Sequence, residues 1–194
     1  MPYTDLYKAV QSSGNGRIST RWLRGKAIEF SGIEKVKEQW SGVVDAASIR
    51  GFYIEGPLGP PVPLKAKEAL IVLARDVCTG PHGDYHRRFI YTKELMHVFD
   101  TEDEKASNKD QFDKQIQRLK DPSADVTPQY RAELKAFWRA LGVLCTEAKR
   151  REYKTLLQKD KASWDVVAVS LGLPMNAVRN LMGDEFERNL HHSM

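Results

Sequence analysis

Cysteine is scarce. Cys78 and Cys145 are the only two in 194 residues, and neither belongs to a metal-ligand cluster. They could form one disulfide, but two isolated buried thiols in an intracellular protein are the plainer expectation. Long hydrophobic runs are missing too: nothing approaches the roughly 20 apolar residues that a membrane helix needs. The opening Met1-Pro2-Tyr3-Thr4-Asp5 lacks a basic segment followed by an apolar one. A cytoplasmic protein without a membrane partner is therefore expected. Nor is there much excess charge of one sign, since 30 basic and 26 acidic side chains leave a formal net charge of +4. That imbalance permits a polyanionic partner without demanding one. There is no internal repeat and no long low-complexity linker.

What remains is ordinary globular composition, 41% hydrophobic and 29% charged, enough for one substantial core. The pattern predicts a short helix over residues 4–11 and a second beginning after Ser19 or Thr20, with Trp22, Leu23, Ala27 and Phe30. Val36, Trp40 and Val43 are expected to continue its apolar pattern beyond Gly32. Phe52-Tyr53-Ile54 is a short strand candidate. The proline-rich stretch 57–63 is mostly loop, because proline fixes the backbone and removes donors. Ala69–Ala74 is the best strand candidate, its continuous apolar run implying burial on both faces; a helix from Lys65 is the alternative. A turn at 80–83 precedes a helix carrying Glu94 and His97. Phe112, Ile116 and Leu119 recur at helical spacing, closed by Asp121-Pro122-Ser123. Pro128 opens a helical stretch to about Lys159, with Leu134, Phe137, Trp138, Leu141 and Cys145 on one face. Gly142 either bends it or permits close packing. Two short helices over 163–181 complete the chain, with Ser163 or Asp165 as cap, and His191 and His192 in a mobile end. The expected fold is α+β, mainly helical with a small sheet. Residues 1–48 form an N-terminal helical segment on the core, 49–162 the α+β core, and 163–194 a helical hairpin and tail.

Chemistry concentrates in Lys93-Glu94-Leu95-Met96-His97. On a helix, residues 93 and 97 share a face. A His-Glu-x-x-His pair there would hold zinc while the glutamate activates a water. Lys93 stands at the first position, and its ammonium must lose a proton before it can donate a lone pair. The bland alternative is a helix whose Leu95, Met96 and Phe99 face the core while Glu94 and His97 are merely polar neighbours.

The longer segment Arg87-Arg88-Phe89-Ile90-Tyr91-Thr92-Lys93-Glu94-Leu95-Met96-His97 resembles the entry and active helix of the ImmA/IrrE-like small zinc peptidases, often associated with phages, mobile elements or repressor control. Met96 replaces the family's glycine. Glu147-Ala148-Lys149-Arg150-Arg151-Glu152-Tyr153-Lys154 resembles the family's later Glu-Ala-x-Ala-Asn-x-Phe-Ala signature, with Arg150 and Arg151 departing from it. The likeness covers roughly residues 50–182. It implies a zincin-like active-helix vestige in which Lys93 replaces the first zinc histidine and Glu94 is a vestigial or active base. His97 and Glu147 are the implied metal ligands, with Glu152 the competitor in a shifted register. The helix carrying Glu147 should then approach residues 89–99. The expectation is a peptidase-like protein with impaired or absent zinc hydrolysis and no cofactor. It would act through a protein- or peptide-binding cleft that includes Tyr53 and Glu152, in phage or mobile-element regulation. Zinc held by a modified ligand set in an active metallopeptidase is one alternative. The other is a nucleic-acid-binding regulator using the C-terminal hairpin, with Lys149, Arg150, Arg151 and Arg179 contacting DNA.

His82 and His86, another i,i+4 pair, read as surface or loop histidines. Trp22, Trp40, Trp138 and Trp164 read as packing residues.

Overall fold

The computed structural model describes residues 2–14, 16–43, 50–59, 63–79, 82–105 and 128–194. The helix expected around Phe112, Ile116 and Leu119, and its close at Asp121–Ser123, lie outside these residues. Among the described residues the fold is α+β: eight α-helices and one three-stranded sheet. None of these helices is long and apolar enough to cross a membrane.

Helix α1 (Pro2–Gln11) buries Tyr3, Leu6 and Val10, one helical face. Helix α2 (Thr20–Ser31) starts where the Ser19 hydroxyl accepts the Trp22 N–H at 3.1 Å, and stops at Gly32, whose φ of +81° is left-handed. The apolar pattern beyond Gly32 is not helical. Val36 and Trp40 lie on strand β1 (Lys35–Ser41), and Val43 is 95% exposed. Their four-residue spacing suits a helix and a strand equally, and pairing with a buried neighbour decides the matter.

That neighbour is β3 (Glu68–Ala74), central in the order β1-β3-β2. It runs parallel to β1, with Lys35 opposite Glu68, and antiparallel to β2 (Gly51–Glu55), with Gly51 opposite Leu73. Its continuous apolar run is explained by burial on both faces. Ala69, Ile71 and Leu73 enter the main core, while Leu70 and Val72 pack with Leu64, Phe52 and Ile54. Within the proline-rich loop, Leu58 and Leu64 exchange two backbone hydrogen bonds and form an isolated bridge.

Helix α3 (Gly83–Leu95) follows, and Met96–Phe99 tightens into a 3-10 turn, so His97 lies just past the α-helix that holds Glu94. The long helix expected from Pro128 to Lys159 is two. α4 (Pro128–Leu144) ends, and α5 (Glu147–Gln158) restarts where the Thr146 hydroxyl accepts the Lys149 N–H. The sequence reads through because no proline or glycine marks the break; a capping threonine does. Leu134 is largely exposed, so the buried face of α4 is set by Ala132, Ala136, Arg139, Ala140 and Val143 instead. Gly142 serves close packing: a Cβ there would lie 2.9 Å from both Leu190 and the Tyr3 hydroxyl. Cys145 is a free, buried thiol.

The C-terminal pair is α6 (Trp164–Leu171), capped by Ser163, and α7 (Met175–Met182). The terminus expected to be mobile forms α8 (Phe186–His192), anchored by buried Phe186 and Leu190. The main core cluster runs from Tyr3 to Leu190.

Leu73 is 1% exposed at the centre of this arrangement. Leu73→Ala should lower the unfolding free energy by about 2–5 kcal/mol, and Val43→Ala by less than about 0.5 kcal/mol. Urea denaturation of both variants checks this. Equal losses would place the core elsewhere.

Candidate functional site

Strand β2 comes down onto α3 at Gly51. A Cβ there would sit 2.9 Å from the Ile90 side chain and 3.2 Å from the Glu94 side chain, so only glycine lets the strand lie this close. Glu94 is thereby shut in, with 1% of its surface exposed. Such a carboxylate is costly unless cations face it.

Two cations do. The Lys93 ammonium is 3.0 Å from Glu94 Oε1 and also binds Glu133 Oε2, which α4 delivers from across the site. The His97 ring stands on the other side, its Nε2 3.7 Å from Glu94 Oε2 and 3.5 Å from Glu133 Oε1. That Nε2 is buried and makes no hydrogen bond. The opposite ring nitrogen, Nδ1, is fixed at 2.6 Å from Asp100 Oδ2. Asp100 is held in turn by Arg139 Nη1 at 3.2 Å, and Arg139 Nε donates to the Ser193 carbonyl at 2.7 Å. Tyr53 stacks near-parallel to the His97 ring at 6.0 Å and donates its hydroxyl to Glu55 at 2.9 Å. Three cations and three carboxylates thus form one enclosed network, reaching the surface chiefly at Lys93 and Glu133.

The protonation states follow from the environment. Burial pulls the His97 imidazole down, but Asp100, Glu133 and Glu94 outweigh it and push its pKa up to about 9. Burial likewise disfavours the Lys93 ammonium, yet Glu133 and Glu94 hold it above the usual lysine range. Burial pushes the Glu94 carboxyl up; Lys93 and His97 draw it only part of the way back. At neutral pH the centre therefore contains an imidazolium and an ammonium facing carboxyl groups.

Lys93, Glu94, His97 and Tyr53 are thus brought together as the sequence suggests. Glu147 is not. Its oxygens bind Arg150 at 2.8 and 3.0 Å and Arg151 at 2.8 Å, at the start of α5. The acidic group opposite residues 93–97 comes from α4, so α5 does not supply it. Glu152 also leaves the expected cleft and pairs with Lys149 at 3.0 Å. The expected DNA contacts are largely spent in ion pairs. Arg150 is 2% exposed and binds Glu147 and Glu187, while Lys149 and Arg151 hold Glu152 and Glu147. Arg179 is exposed on α7. His86 Nδ1 donates to the His82 carbonyl, 3.2 Å away, and His82 stacks on Tyr85.

Glu133, Asp100 and Arg139 escape a motif-based reading. Their signal lies in position. Glu133 precedes Ala136, Phe137 and Ala140 by three, four and seven residues, which puts a carboxylate beside the apolar stripe of α4. Asp100 follows His97 by three residues, within reach across one helical turn.

A zinc ion does not suit these donors as they stand. Zinc needs donor atoms converging on free space, whereas the Lys93 ammonium already occupies the space between the Glu94 and Glu133 carboxylates. Among the described residues no group of three or more His, Cys, Asp or Glu side chains is disposed to hold a metal. Family models, curated proteins and solved structures all yield no match to this chain.

The raised His97 pKa has a definite sign. The stability it contributes is full below the unfolded value of about 6.5 and is lost as pH rises through about 9. An NMR titration of the His97 ring should give a midpoint near 9, lowered by Asp100→Asn; a wild-type midpoint at the free-histidine value would contradict the network. Lys93→Met should cost about 3 kcal/mol of unfolding free energy at neutral pH by leaving two carboxylates facing each other. Denaturant titration measures that loss.

Proposed function

We propose that this chain is a peptidase-like protein whose internal lysine has taken the place of a metal cation, leaving zinc hydrolysis impaired or absent. One observation carries the reading: the Lys93 ammonium bridges Glu94 and Glu133 beside His97. In a zinc peptidase a dication would balance such carboxylates and polarise a carbonyl. An ammonium balances charge and organises side chains, but it offers no open coordination position. Glu94 then has no metal-bound water to act on.

The retained role is recognition. Tyr53, Lys93 and Glu133 border the side where the charge network meets solvent, and a protein or peptide segment is the partner that suits a former peptidase cleft. The resemblance to ImmA/IrrE-like peptidases implies control of a phage or mobile element as its setting. The reading with DNA at the hairpin draws little support, since the α5 cations are already paired with carboxylates.

Metal analysis together with peptide turnover tests the proposal. Protein purified with excess zinc and then dialysed should retain only substoichiometric metal and cleave no unstructured peptide above background. Lys93→His should gain zinc affinity. A stoichiometric zinc in the wild type, with hydrolysis abolished by Glu94→Gln, would overturn the proposal.

A further inference from the structure

On another part of the molecule, the start of α2 with the residues before it, β1 and α3 line an open cavity of about 490 Å³. Its walls carry Arg17, Arg21, Arg24, Arg87 and Arg88, against only two carboxylates, Glu38 and Asp84. Five guanidinium groups in one concavity repel one another, and an anion held among them would relieve that repulsion.

Two of the five have structural work. Arg88 is buried, donating to the Leu171 carbonyl at 2.8 Å and to the Ile18 carbonyl at 2.7 Å, which fixes the floor. Arg87 pairs with Glu38 at 3.0 Å and lies over the Trp40 ring. Arg17, Arg21 and Arg24 differ: among the described residues, none forms an ion pair with a carboxylate. Arg17 is even drawn in against the chain at Gly172, where a Cβ would fall 2.2 Å from its guanidinium. Thr20 and Arg21 are the first residues of α2, so that helix's positive end opens on the same space. Positive charge that is neutralised on α5 is thus in excess here, with five arginines facing two carboxylates.

We propose that this cavity binds a small molecule carrying two or more linked phosphates. Guanidinium forks match phosphate oxygens in pairs, and several such forks around one concavity suit adjacent phosphates better than a lone carboxylate. The volume is that of a small-molecule site, not of a track along a duplex. The paired cations of α5 also deny the surface a long basic stripe.

Calorimetric titration of the full chain at low salt, with sodium tripolyphosphate and with ATP as separate probes, tests the proposal. Saturable binding of tripolyphosphate is expected, weakening as salt rises. Tighter binding of ATP would mark a nucleotide, and equal binding a bare oligophosphate. Arg21→Ala/Arg24→Ala should weaken binding by about tenfold or more, with Arg17→Ala/Arg21→Ala, both exposed positions, as a second pair that keeps the wild-type melting temperature. Lys149→Ala/Arg151→Ala should leave binding unchanged. Absence of saturable binding, or binding indifferent to the α2 arginines, would overturn the proposal. So would short duplex DNA held by these arginines and not displaced by tripolyphosphate.

Discussion

Glu94 cannot be buried alone. Its carboxyl sits beneath Gly51 with almost no access to water, and the surrounding fold is arranged to answer that one charge. Lys93 reaches it from the neighbouring position, Glu133 shares the ammonium from α4, and His97 closes the far side with its ring pinned by Asp100. Arg139 then ties Asp100 to the C-terminal end through the Ser193 carbonyl. Each member is held by the next, so the network links α3, α4 and the terminus in one electrostatic unit. Networks of this kind favour a unique arrangement over raw stability, because desolvation offsets much of the Coulomb gain.

The chemical character of the centre follows from which cation fills it. A dication would leave a coordination position for water or a carbonyl oxygen. An ammonium carries three short-range donors, and that of Lys93 engages the Glu94 and Glu133 carboxylates. With the Lys93 ammonium in place, the centre mainly holds its own walls. The same carboxylates act on His97: burial pulls its imidazole pKa down, but Asp100, Glu133 and Glu94 push it up further.

The sequence discloses the elements whose signal is local. Ser19, Gly32 and Ser163 mark helix ends because capping acts within a few residues, and Leu70–Leu73 reads as a strand because two-sided burial leaves no polar position. Glu94, Lys93, His97 and Tyr53 are legible as a site for the same reason, three of them lying on one turn of chain. A motif points to Glu147, whereas the acidic partner, Glu133, is selected by the packing of α4 against α3. Strand β1 is not evident because its exposed residues, Lys35, Glu38 and Gln39, fall on both faces and blur the alternation, and its pairing depends on β3, thirty-three residues away in register. The arginine cavity is invisible for a related reason: Arg17, Arg21 and Arg24 on one segment meet Arg87 and Arg88 only after folding.

The most direct measurement is a double-mutant cycle on Lys93→Met and Glu133→Gln, read by denaturant unfolding at neutral pH. An ammonium clamped between the α3 and α4 carboxylates requires the two losses to be strongly non-additive, with a coupling of about 1–3 kcal/mol. Losses that add to within about 0.5 kcal/mol would mean that the two residues act independently, and the cation would not be what holds the centre together.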